Sequence, residues 1–175
     1  HGEDLTGAAV YSGDFSDADM SGATLREFSA VSGTFVGTNL ARADATGAFL
    51  GQADFTGAKC VGATFSDAGF NHATLDRADF SEAIAHETTF NNTTATSVTF
   101  RGADLTEANF NQASYDKADF SESNLTGAVL RETSLAGADF RRADLTGANF
   151  GEADLRGADF TGATMTDTNF LDADL

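Results

Sequence analysis

Apolar side chains, most of them large, recur at every fifth residue of this chain, from Leu5 to Leu175, and no insertion breaks the count. Taken as position i, these 35 sites hold 14 Phe and 12 Leu; the other nine are Val10, Met20, Ala30, Ala45, Cys60, Ala85, Ala95, Tyr115 and Met165, and none is charged. At i−2, 24 of the 35 residues are Ala. Position i−1 is Asp 13 times and Asn five times, and i+2 takes 13 of the 18 glycines. A period of five belongs neither to a helix nor to a straight strand. Residues i−2 and i face the same side of an extended backbone, whereas i and the next i−2, three apart, would face opposite sides. Both are apolar, so the chain must turn at i+1 and i+2 in every repeat. Glycine, Ser and Thr at those sites favour such a turn. An extended chain that turns inward every five residues winds into a solenoid whose coils stack at roughly 4.8 Å. The pattern alone leaves the number of sides open.

The phrase Ala-(Asp/Asn)-(Leu/Phe)-x-x, as in ADLTGANFGEADLRGADF over 143–160, resembles the pentapeptide-repeat family along the whole chain. The resemblance implies an all-β fold: a right-handed quadrilateral parallel β-helix, one domain over 1–175, with four repeats per coil and about nine coils. At the inter-strand spacing such a rod is roughly 40 Å long. With 20 residues per coil, the i positions form four interior columns. One runs Met20, Leu40, Cys60, Phe80, Phe100, Phe120, Phe140, Phe160; a second contains Phe70, Phe90 and Phe110; a third begins Phe15, Phe35, Phe55. Rings at the coil spacing are expected to stack. Small i residues are expected to be compensated nearby, Ala30 by Phe28, Ala85 by Ile84 and Ala95 by Val98, since a packed interior conserves volume.

Composition narrows the partners. The 175 residues are 41% hydrophobic, enough for a core, and the apolar runs are far too short to span a membrane. The net charge of −17 repels nucleic-acid phosphates and anionic membranes and suits a basic protein partner or the mimicry of a polyanion. Cys60 is alone, so no internal disulfide forms. The chain opens on His1 with neither Met nor a signal-peptide pattern, which leads us to expect a processed or excised form.

Candidate chemistry is sparse. Asp at i−1 points outward between two inward residues and can hydrogen-bond the N–H groups of the turn. Stacked coils place Asp119, Asp139 and Asp159 in one column, with Arg141 and Arg142 expected to screen them. His1, His72 and His86 lack metal-ligand spacing, and Cys60 faces inward, where a lone thiol is inert. Asn91, Asn92 and Asn124 fit the glycosylation acceptor pattern, a weak signal. No catalytic residue, cofactor site or metal site is assigned. The segment IAHETTFNNTTATSVTF, 84–100, keeps the register but loses the phrase. Its Thr88, Thr89, Thr93, Thr94, Thr96 and Thr99 are read as a neutral, flat contact surface for a partner. At the far end Phe160, Met165, Phe170 and Leu175 would lie bare on the last coil. Association with a partner or a second copy is expected there, through Phe170 and Leu175.

The resemblance carries two functional expectations. The first is a non-enzymatic scaffold, an accessory subunit in a photosynthetic setting (thylakoid lumen or photosystem-associated, or periplasmic). The second is an acidic DNA mimic that binds and protects a type II topoisomerase, gyrase, in the cytoplasm. Both need a protein partner; neither needs direct nucleic-acid contact.

Overall fold

The computed structural model describes residues 2–175. Parallel bridges pair every i−1 residue with the one 20 positions later, from Asp4↔Thr24 to Asp154↔Asp174, with no register slip. Four repeats therefore close each coil, and the molecule is a right-handed, four-sided β-helix. Its walls are numbered by their outward i−1 residues, each set spaced by 20. Wall 1 begins at Asp4, wall 2 at Ala9, wall 3 at Asp14 and wall 4 at Asp19.

One repeat shows why the sequence closes this way. Of its five N–H groups, Ala43 donates across the turn to Leu40 O (2.9 Å), Asp44 to Ala23 O on the previous coil (2.9 Å), and Ala45 and Gly47 to Thr64 O and Ser66 O on the next (2.7 and 2.9 Å). The fifth, Thr46 N–H, has no backbone partner and donates to the Asp44 carboxylate (3.2 Å). An N–H without a protein partner is costly wherever water is partly excluded, so a short side chain with an oxygen is favoured at i−1. Twelve of the 13 Asp at this position and all five Asn accept that bond. Asp174, the remaining one, has no residue two places ahead.

The corners follow the same rule. Every i+2 residue, from Gly2 to Asp172, has a positive φ between 51° and 76°. That is the sign required of the third residue of a type II turn, which explains where the glycines collect. Yet 22 of these 35 residues are not glycine. Their side chains stand off into solvent, so the strain is confined to the backbone. The corner at Thr96–Ser97 is a bend, whereas the other described corners are turns, most of them closed by the i−2 N–H donating back to the preceding i carbonyl.

Inside, the columns stack as the sequence predicts. Phe35 lies on Phe55 at 4.6 Å, Phe90 on Phe110 at 4.9 Å, and Phe120 on Phe140 at 5.1 Å, with planes within 10° in each case. Edge contacts tie neighbouring columns, as between Phe100 and Phe110. Phe28 and Val98 are buried beside the small side chains of Ala30 and Ala95. The expected partnership of Ala85 with Ile84 fails, because Ile84 sits at i−1 and points outward from wall 1, 43% exposed. Ala85 instead lies one coil above the buried ring of Phe65, in a column that is otherwise mostly Leu.

Candidate interaction surface

The four walls share one backbone and differ in charge. Wall 4 carries Asp19, Asp79, Asp119, Asp139 and Asp159 against the single cation Lys59. The bridges Asp119↔Asp139↔Asp159 place three carboxylates on consecutive coils. Arg141 screens this row as expected: its Nε lies 2.9 Å from both Asp139 oxygens and 3.9 Å from Asp159 Oδ2. Arg142 does not; it turns to Glu122, at 3.3 Å. Walls 1 and 3 each carry four outward Asp, and wall 2, from Ala9 to Asn169, carries no charged outward residue.

Several of the outward carboxylates are held in their ionised form. Hydrogen bonds from the hydroxyl and then the N–H of the residue two places on lower the pKa of Asp4, Asp14, Asp144 and Asp159. The Arg156 guanidinium, aided by the Arg156 N–H, brings Asp154 down to about 2. These groups are tuned to stay charged, the opposite of the raised pKa that a general acid needs.

The threonine segment divides. Thr88 and Thr93 are not part of a contact surface, because both occupy i−2 and point inward, fully buried. Thr88 donates to Phe65 O (2.7 Å) and Thr93 to Phe90 O (2.6 Å), while Tyr115 Oη lies 2.6 Å from Thr93. A buried hydroxyl needs such a partner. The other four do not form a flat patch: Thr89 lies on wall 2, Thr94 on wall 3, Thr96 on the edge between walls 3 and 4, and Thr99 on wall 4. They wrap three sides of the rod at the one bent corner. At the C-terminal coil, Phe170 stacks on Phe150 at 5.3 Å and is partly exposed, and Leu175 is 73% exposed.

Burial pushes the Cys60 thiol and the Tyr115 hydroxyl well above their ordinary values, so neither ionises near neutrality. Among the described residues no group of three or more His, Cys, Asp or Glu is placed to hold a metal. His1 lies outside the described residues. The concavities are open depressions at the corners, one of about 260 Å³ lined by Arg101, Asp119, Ser121, Glu122, Arg141 and Arg142. No helix of the described residues is long and apolar enough to cross a membrane. Phe49, at an i−1 position on the uncharged wall, is 58% exposed.

Such a coil, closed every 20 residues and sealed by an oxygen at i−1, defines the class of right-handed quadrilateral β-helices built from five-residue repeats. The chain belongs to the pentapeptide repeat proteins: family profiles described as "Pentapeptide repeat region" and "Pentapeptide repeats (8 copies)" match residues 63–140 and residues 35–71 and 143–175 respectively. Among solved structures it is similar to HetL, a pentapeptide repeat protein involved in heterocyst differentiation regulation from the cyanobacterium Nostoc sp. strain PCC 7120. The two are 26% identical over 99% of this chain and 87% of HetL, with a TM-score of 0.77. It shares its fold with QnrB1, a plasmid-mediated fluoroquinolone resistance protein, at 21% identity over 94% of this chain and 80% of the other (TM-score 0.57). A pentapeptide repeat protein of the Arabidopsis thaliana thylakoid lumen is 24% identical over 75% of this chain and 68% of its own, but superposes at a TM-score of only 0.29, too low to carry a location across. No curated protein matches the chain.

Proposed function

We propose that this chain is a non-enzymatic interaction scaffold that docks a basic protein partner along its acidic walls, wall 4 foremost. The observation that carries this reading is the row Asp119–Asp139–Asp159, three carboxylates aligned on consecutive coils of a rod whose described residues line open depressions at the corners. A line of like charge steers an oppositely charged partner and repels phosphate backbones and anionic lipid. The likeness to HetL, a cyanobacterial regulator, supports an interaction role and a photosynthetic organism as the setting. Within it we propose an accessory subunit of the thylakoid lumen or periplasm.

Asn also accepts the turn bond at i−1, so Asp119→Asn, Asp139→Asn and Asp159→Asn together remove charge and leave the closure of the coil intact. Affinity capture from cyanobacterial thylakoid and soluble fractions should retain a protein on the wild type, release it with salt, and lose it on the triple variant. Equal retention by both would overturn the reading, and a partner found only in the soluble fraction would overturn the lumenal setting.

One observation favours a second reading, the topoisomerase-protecting DNA mimic. A net charge of −17 over roughly 40 Å is one charge per roughly 2.4 Å, close to duplex DNA at about 1.7 Å. Purified gyrase should then lose supercoiling activity with the wild type and regain it with the triple variant. Full activity at all concentrations would rule this second reading out.

A further inference from the structure

The uncharged wall has a use of its own. We propose that wall 2 is a self-association surface, on which a second copy of this chain docks side by side and parallel, related by a two-fold axis along the rod. The inference concerns a different wall from the one in the proposed function, so either can fail alone.

Charge selects the wall. Two chains of −17 repel each other, and pairing wall 4 with wall 4 would set one Asp row against another. Wall 2 alone permits close approach without opposing charges along its centre line. There the outward residues are small or neutral, with Phe49 and Val129 four coils apart.

The edges select the orientation. The edge between walls 1 and 2 presents Glu87 and Glu107, which only accept hydrogen bonds. The edge between walls 2 and 3, at the same heights, presents the amides of Asn92 and Gln112, which donate. A two-fold axis along the rod brings the first edge of one copy against the second edge of the other. Glu87 then meets Asn92 and Glu107 meets Gln112, on both sides, while Phe49 packs on Phe49. Gln112 keeps a donor for this, since one of its two amide N–H groups goes to Glu132 within the chain (3.0 Å). The antiparallel alternative centred on the same coil sets the acidic edge against itself, Glu87 on Glu87 and Asp67 facing Glu107, whereas the parallel pair opposes like charges only at its last coil, where Asp167 faces Asp172.

The area fits a weak dimer. A side of five residues at about 3.3 Å each, along roughly 40 Å of rod, offers roughly 650 Å² per copy. The total, roughly 1,300 Å², lies at the lower end of the range for stable interfaces.

Sedimentation of the full chain over about a hundredfold concentration range is expected to show a monomer–dimer equilibrium in the micromolar range. Added salt should strengthen it, because screening relieves the net repulsion. Phe49→Glu, which sets two carboxylates face to face, should weaken it by about tenfold or more. Ile84→Glu, the same change at an exposed apolar residue of wall 1, should leave it unaltered. Oxidised Phe49→Cys should cross-link two copies, with Cys60 buried out of reach, while Thr64→Cys on wall 1 should not. A monomer throughout, even at high salt, would overturn the proposal. So would equal weakening by Ile84→Glu, or cross-linking of Thr64→Cys as fast as that of Phe49→Cys.

Discussion

Walls 4 and 2 rest on the same coils, the same corners and the same aromatic interior, yet one is a line of carboxylates and the other has no charge at all. The difference shows which positions the fold constrains. Inside, i and i−2 must fill volume. At the corner, i+2 must accept a positive φ. At i−1 the fold asks only for an oxygen to receive the turn N–H, and it tolerates the loss of even that, as at Phe49 and Val129. Asp and Asn serve the fold equally there, so charge is free to be chosen for something else. On wall 4 it was chosen heavily, on wall 2 never.

The largest effects should come from the interior that the two walls share. Phe90→Ala on wall 2 and Phe120→Ala on wall 4 each remove a fully buried, stacked ring and should each cost about 3–5 kcal/mol in chemical denaturation. A large difference between them would mean that the walls are not equivalent underneath.

Next in size is the turn oxygen. Asp119→Ala strands the Ser121 N–H and should cost about 1 kcal/mol, as should Asn109→Ala on wall 2, which strands Asn111 N–H. Asp119→Asn should be nearly neutral. If Asn cost as much as Ala, charge rather than the acceptor oxygen would be what wall 4 contributes to folding.

Acid should separate the walls more gently. The lowered carboxylates, Asp144, Asp154 and Asp159 among them, bind protons less readily folded than unfolded. Their contribution is complete above the ordinary value of 3.8 and is lost as pH falls towards about 2, the folded value of Asp154. Thermal melts over that window should show a declining midpoint. Asp159→Asn should flatten the decline, whereas Asn149→Gln on wall 2 should leave it unchanged. Smallest of all is Arg142→Ala, whose exposed contact with Glu122 should be worth no more than about 0.5 kcal/mol.

Much of this was legible in the sequence. The period fixed inside from outside, and the Ala, Phe and Gly columns announced the interior and the corners. Where sequence and structure part, phase within the repeat overrides composition. Thr88 and Thr93 look like surface because threonine is polar, but their place two residues before i already puts them inside. Ile84 looks like core because it is apolar, but one residue before i is outside. The 22 left-handed residues that are not glycine carried no signal, since only geometry asks for a positive φ there. The uncharged wall was hidden for another reason. Its members stand 20 residues apart, and they line up only once the coil is known to have four sides.

The lengthwise hydrogen bonds have a mechanical consequence. All of them run along the rod, and the two ends of the chain leave from opposite ends of it. Tension between the termini therefore loads successive coils in series, like links, and has no pair of long strands to shear. The rod should yield one coil at a time from an end, each release letting out 20 residues of slack, roughly 65–70 Å of extended chain. Stretched in this way, the molecule is a ratchet of low, evenly spaced steps rather than a single brittle unit.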